Sequence, residues 1–164
     1  MQVLRVTPSL SIADQIGEAD VEALAEAGFK SIICNRPDAE GGTPSARIEA
    51  ACERHGLKFF LQPVLYSELD LVHGDEFGRV LQQCEAPALA YCRSGRRCAA
   101  LWAIAAAPLA GAQAVARRAA RIGIGLDDID AVLARSAARA NPPHAPGSDS
   151  GARERFKRLW VDEG

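Results

Sequence analysis

The chain has 164 residues, 48% of them hydrophobic, with 19 basic side chains against 21 acidic ones. This is the makeup of one globular domain whose core can hold the fold without disulfides or metal. A net charge of −2 produces no field that would recruit nucleic acid or an anionic membrane, so neither is an expected partner.

The first residues show no basic stretch ahead of an apolar run, so no secretion signal is read and a cytoplasmic location is expected. Residues 18–27 carry Val21, Leu24 and Ala25 at helical spacing, and Gly28 stops the pattern. The β-branched run at 29–35 reads as a strand and 36–42 as a loop. Thr43 then caps a helix with Pro44 at its first position, and Gly56 ends it. A strand follows at 57–64, a helix at 75–84 and a short apolar strand at 88–91.

Three helix–strand alternations predict an α/β fold. Its central sheet is mostly parallel, with helices on both faces and ligands bound beyond the carboxyl ends of the strands. Residues 98–116 carry no charge over about the length of a membrane span. The run is mostly alanine and Pro108 interrupts it, so it reads as a buried helix and a turn instead. Helices at 112–121 and 126–139 complete a domain over 1–140. Residues 141–164 read as a Pro/Gly/Ser linker and a basic-aromatic tail. Phe156, Leu159 and Trp160 would lie on one side of a short helix, which either docks on the body or a protein partner or remains a solvated end.

The chemistry concentrates in Tyr91-Cys92-Arg93-Ser94-Gly95-Arg96-Arg97-Cys98, a cysteine at the end of a strand followed by a tight loop that opens into a helix. Backbone N–H groups and the helix dipole converge there on an anion, and an arginine can grip two of its oxygens. The same field favours the Cys92 thiolate, a nucleophile, and Gly95 permits the curl of the loop. Arg93, Ser94, Gly95, Arg96 and Cys98 would line the anion, as would Arg36 from the loop after the earlier strand. Arg36 could equally bond a loop carbonyl or pair with Asp38. The five cysteines form no CxxC or Cys/His metal pattern, and no metal or cofactor is expected. Cys34, Cys52 and Cys84 read as core residues, and Cys98 as the one resolving thiol for an oxidised Cys92.

Gln15, the run Ala27-Gly28-Phe29-Lys30, the run Asn35-Arg36-Pro37-Asp38 and the Tyr91–Arg97 stretch occur in this order. Together they resemble the bacterial β-lactamase-hydrolase-like, phosphatase-like domains over about residues 1–140. The resemblance implies a fold of the cysteine-dependent dual-specificity phosphatase type, with Cys92 as nucleophile and Arg97 as its catalytic partner. Phosphatases of that superfamily place five residues between cysteine and arginine. Here the position is Cys98, and four residues separate Cys92 from Arg97, a spacing similar to that of single-domain rhodaneses.

Three functions follow as expectations. The first is a phosphatase acting on phosphate monoesters through a Cys92 thiophosphoryl intermediate. The second is a sulfurtransferase carrying a Cys92 persulfide, and the third is a module that binds an anion or a phosphorylated partner without turnover. For the first, Asp38, Glu68 and Asp70 are the candidates to protonate the leaving group. His55 and His73 have no cysteine or acid at motif spacing, and His144 lies in the linker.

Overall fold

A computed structural model describes all 164 residues. Five strands form one sheet in the order β1-β2-β5-β3-β4. They are β1 (Val3–Thr7), β2 (Leu10–Ala13), β3 (Ser31–Cys34), β4 (Lys58–Leu61) and β5 (Ala88–Tyr91). β1 pairs antiparallel with β2, and the other pairings are parallel. Seven helices surround the sheet: α1 (Glu18–Glu26), α2 (Ser45–His55), α3 (Leu71–Gln83), α4 (Arg96–Ala110), α5 (Ala112–Arg121), α6 (Asp130–Ala137) and α7 (Ser150–Trp160). No helix is long and apolar enough to cross a membrane.

Strand residues alternate between two cores, as the period of two dictates. Ala13, Ile32, Cys34, Leu89 and Tyr91 pack with Val21 and Leu24 of α1 and with Ile48, Ala51 and Cys52 of α2. Ile12, Ile33, Ala88 and Ala90 face the other way, into a larger core built on α4 with residues of α3, α5, α6 and α7. α4 is uncharged from Cys98 onward because it has no solvent face: every residue from Arg97 to Ala107 is buried.

Several elements depart from the sequence reading, each for a local reason. Two strands outside the sequence reading, the largely exposed β1 and the buried β2, precede α1 and add to the sheet beside β5. The capping residue of α2 is not Thr43. The helix begins at Ser45, and Asp38 accepts from the Ser45 N–H and hydroxyl, both at 2.9 Å. α3 starts four residues before Asp75, because Asp70 accepts from the Leu71 N–H at 2.8 Å and His73 Nδ1 accepts from the Asp70 N–H at 3.0 Å. The segment expected as a helix over 126–139 splits into a 3-10 turn (Asp127–Ile129) and α6.

Pro108 does not interrupt α4, which runs on to Ala110. Proline cannot donate to the carbonyl four residues back, that of Ile104. The buried Ser136 hydroxyl of α6 donates to that carbonyl instead, at 2.6 Å. α3 comes close to α4 at Gly74, where a Cβ would collide with Ile104, and to the His144 ring at Gly78, where a Cβ would collide with that ring.

Residues 141–164, read as a linker and a tail, place several side chains in the core while 147–151 are exposed. His144 is fully buried, with Nδ1 3.1 Å from Asp75 Oδ1 and Nε2 2.8 Å from the Ala105 carbonyl. Arg139 donates twice to the same Asp75, at 2.9 Å each. Phe156 and Trp160 of α7 are buried, and the Trp102 indole N–H of α4 donates to the Trp160 carbonyl at 2.7 Å. Apolar burial outweighs the polar composition of this stretch.

The Ser136 contact leads to a stability prediction. Ser136→Ala leaves the Ile104 carbonyl buried without a donor and should cost about 1–3 kcal/mol in denaturant unfolding. Adding Pro108→Ala returns a backbone N–H to that carbonyl, so the double variant should be more stable than Ser136→Ala alone.

Candidate active site

The register aligns Ala13 with Tyr91, Tyr91 with Cys34, and Cys34 with Leu61. The loops leaving β2, β5, β3 and β4 therefore emerge side by side at one carboxyl edge. Those of β2 and β3 lead to α1 and α2 on one face, whereas β5 leads to α4 on the other. The crevice between such diverging connections is where open α/β sheets bind ligands, and Cys92 lies in it. Backbone bonds fix the loops to one another. Cys92 N–H donates to the Ala13 carbonyl at 3.3 Å, Asn35 N–H to Tyr91 at 2.9 Å and Gln62 N–H to Cys34 at 2.9 Å.

The Cys92 sulfur is the focus of the loop. Gly95, with φ +89° as the residue before α4, turns its N–H onto that sulfur at 3.1 Å. A Cβ there would find only ordinary contacts, 3.7 Å from Ala13, so backbone conformation rather than crowding calls for glycine at this point. Hydrogen bonding from the Cys98 side chain, which outweighs the burial that opposes ionisation and is helped by the backbone N–H groups of Cys98, Ser94 and Gly95, brings the Cys92 thiol down to about 6. Burial, reinforced by the Cys92 thiolate, pushes Cys98 itself well above the usual thiol value.

The arginines take different places. Arg97 points inward and is one-tenth exposed. Its Nη atoms donate to Glu40 at 2.9 and 3.1 Å, to the Val64 carbonyl at 2.8 Å and to the Asn35 carbonyl at 3.3 Å, which leaves Nε buried without a partner. The Arg97 guanidinium holds the Glu40 carboxyl below the usual carboxylate range. Arg96 is turned outward, donating to the Tyr66 hydroxyl at 3.0 Å and to Asp128 at 2.8 Å. The Tyr66 hydroxyl in turn donates to Asp128 at 2.9 Å. Arg93 and Ser94 are exposed on the rim.

Arg36, weighed in the sequence as an anion contact, bonds within the loops. It donates to Gln15 Oε1 at 2.7 Å and to the Glu40 carbonyl at 2.8 Å. Since Gln15 N–H donates to the Arg93 carbonyl at 3.4 Å, a chain of contacts runs from the active loop through Gln15, Arg36 and Glu40 and returns to it at Arg97.

Of the three acids named from the sequence, Asp38 has both oxygens on Ser45 of α2. Asp70 caps α3 and pairs with Arg135 at 3.1 Å. Glu68 is exposed on the turn that also carries Tyr66 (Tyr66–Glu68). Sequence reasoning missed Glu40, Tyr66 and Asp128. Glu40 has a local signal, its spacing of four from Arg36. Asp128, 32 residues from Arg96, has none.

The family model for the Beta-lactamase hydrolase-like protein, phosphatase-like domain matches residues 2–110. Beta-lactamase hydrolase-like proteins of Agrobacterium fabrum and Xylella fastidiosa are 30% identical to the chain over 106 residues, 63% of this chain and 25% of theirs. The chain thus spans about a quarter of the length of the curated relatives it matches. Among solved structures, a provisionally assigned phosphatase of Neisseria meningitidis is 35% identical, with a TM-score of 0.74 over 83% of this chain and 99% of that one. TpbA of P. aeruginosa, solved in complex with phosphotyrosine, is 18% identical, with a TM-score of 0.62 over 94% of this chain and 89% of its own. A phosphatase named Tk-PTP, solved in its active form, is 12% identical, with a TM-score of 0.67 over 82% and 95%. At these last two identities the likeness is one of fold, that of the cysteine phosphatases.

The donors around Cys92 lead to a titration that can be measured. Alkylation of Cys92 by iodoacetamide requires the thiolate, so its rate should rise with pH through a midpoint near 6. Cys98→Ala removes the strongest of those donors and should move the midpoint upward. An unchanged midpoint in that variant would show that the backbone N–H groups suffice.

Proposed function

The chain belongs to the phosphatase-like domain family of the beta-lactamase hydrolase-like proteins. From that premise we propose that it hydrolyses phosphate monoesters, of the kind taken by tyrosine and dual-specificity phosphatases, through a thiophosphoryl intermediate on Cys92. The observation that carries this reading is the Cys92 sulfur at the centre of converging N–H donors, ionised near neutral pH.

In the first step the Cys92 thiolate attacks phosphorus in line. The S–P bond forms, the P–O bond to the leaving group breaks, and the departing oxygen takes a proton. The N–H groups of the loop stabilise the equatorial oxygens, as a preorganised oxyanion site does. Arg97 contributes through the N–H groups that Glu40 and the two carbonyls leave free, Nε–H among them. In the second step water attacks phosphorus and gives up a proton to the group that protonated the leaving oxygen, the S–P bond breaks, and inorganic phosphate departs from the Cys92 thiolate. Glu68 is assigned as the proton donor. It is free of the capping roles that engage Asp38 and Asp70, and it lies two residues from Tyr66, which touches the active loop. No step requires a metal.

One observation favours a second reading. Only four residues separate Cys92 from Arg97, and most of the Arg97 donors are engaged within the protein. A loop of this length suits transfer of a sulfane sulfur to and from Cys92.

The discriminating assay measures aryl phosphate hydrolysis and thiosulfate-to-cyanide sulfur transfer side by side in wild type and Cys92→Ser. The phosphatase reading predicts vanadate-sensitive phosphate release that falls at least about a thousandfold in the variant. Thiocyanate formation with a mass gain of one sulfur on Cys92 would replace that reading with sulfur transfer. Anion binding without either product would leave a binding module. Glu68→Gln should slow an alkyl phosphate by about a hundredfold and an aryl phosphate far less, because a phenolate leaves without a proton.

A further inference from the structure

Residues 141–160 do more than cover α4. Pro143 and Pro146 of the connection, Phe156 and Leu159 of α7 and Leu81 of α3 line a cleft of about 480 Å³. Cys84 forms part of its wall, at the end of α3 on the way into β5. Cys92 follows Tyr91, the residue at the far end of the same strand, so the cleft is separate from the active loop. Eight of its eleven lining residues lie beyond residue 110, where the family model stops.

Bonds within the protein fix the walls. Gly147 N–H donates to Asn141 Oδ1 at 2.9 Å, Arg153 donates to the Ala145 carbonyl at 2.7 Å, and Asp149 Oδ1 accepts from the Ala152 N–H at 3.0 Å at the start of α7. A space of this size, walled by apolar side chains and formed in advance, is of the kind that takes a small molecule. Its charged groups differ in what already holds them. Arg153 is on that carbonyl and Lys157 is on Asp162 at 2.9 Å, whereas Arg155 is exposed on the cleft wall with no partner in the protein. Asp149, the one acid of the wall, caps the helix. The charge left open to a ligand is therefore positive, and it stands beside an apolar surface.

We propose that this cleft binds an apolar monocarboxylate, a medium-chain acyl or arylalkanoic acid, with its hydrocarbon against Leu81, Phe156 and Leu159 and its carboxylate on Arg155. The hydrocarbon leaves water for side chains that have no hydrogen bonds to lose. The guanidinium can take both carboxylate oxygens in parallel bonds, a geometry that an alcohol or amide cannot reproduce. An apolar amine would instead bring a second cation to Arg155. The site goes beyond the reaction proposed at Cys92 and does not rest on it, because none of its walls belongs to the active loop.

Equilibrium dialysis of octanoate and of octanamide, its neutral isostere, against wild type, Arg155→Met and Ala152→Phe tests the assignment. Wild type should bind octanoate saturably and about tenfold more tightly than octanamide. Arg155→Met should weaken octanoate to the level of octanamide and leave octanamide unchanged, which also shows that the cleft is intact in that variant. Ala152 lies on the cleft wall, so Ala152→Phe fills the space and should weaken both ligands. The proposal is overturned if octanoate does not bind, if the amide binds as well as the acid, or if Arg155→Met leaves octanoate unchanged. A dimer in sedimentation that Ala152→Phe disperses, with no octanoate bound by wild type, would give the cleft to a second copy of the chain and equally overturn it. Because the readout needs no turnover, failure of the phosphatase assay and failure of this inference are separate results.

Discussion

A guanidinium that is only one-tenth exposed has to find acceptors inside the protein, and the carboxyl edge of this sheet is arranged to supply them to Arg97. They come from two loops: the Asn35 carbonyl and Glu40 follow β3, and the Val64 carbonyl follows β4. Arg97 itself belongs to the first turn of α4. One side chain therefore ties together the connections after three parallel strands. Removing a partner from a buried charge pair costs about 3–5 kcal/mol, because the remaining charge is left without compensation. Glu40 does not act alone, since Arg36 approaches the same carboxylate at 3.5 Å and leads on through Gln15 to the Arg93 carbonyl. The loop around Cys92 is thereby held at both ends, which is the condition for donors to meet a sulfur with little reorganisation.

The rest of the architecture follows from α4, which leaves that loop. A helix buried along eleven consecutive residues needs cover on all sides. The sheet provides one side, and α3, α5, α6 and α7 provide the others. Cover at close range sets the chemistry of the neighbours. α3 has glycines at 74 and 78 where side chains would collide with Ile104 and His144, and α6 has a serine where Pro108 leaves a carbonyl without its donor. The C-terminal stretch belongs to this cover. His144, Phe156 and Trp160 are buried in it, and His144 and Arg139 meet at Asp75.

Local pattern in the amino-acid sequence determined the alternation of helix and strand, the two-sided parallel sheet and the strand–Cys92–loop–helix unit, because each depends on neighbours within a few residues. It also marked α4 as buried from its lack of charge. It did not reveal β1 and β2, whose pairing with one another and with β5 is made only in the sheet. It did not reveal the docking of 141–164 either, where a polar composition conceals a few deeply buried side chains. The sequence pointed to Arg97 only through the resemblance to a family, with no partner for it or for Arg96. The tertiary structure separated the two by setting Glu40, Asn35 and Val64 around Arg97 and Tyr66 and Asp128 around Arg96. The partners of those two arginines lie 30 or more residues away along the chain. Charge pairing at that separation has no period to read, and only the folded sheet brings the groups within reach.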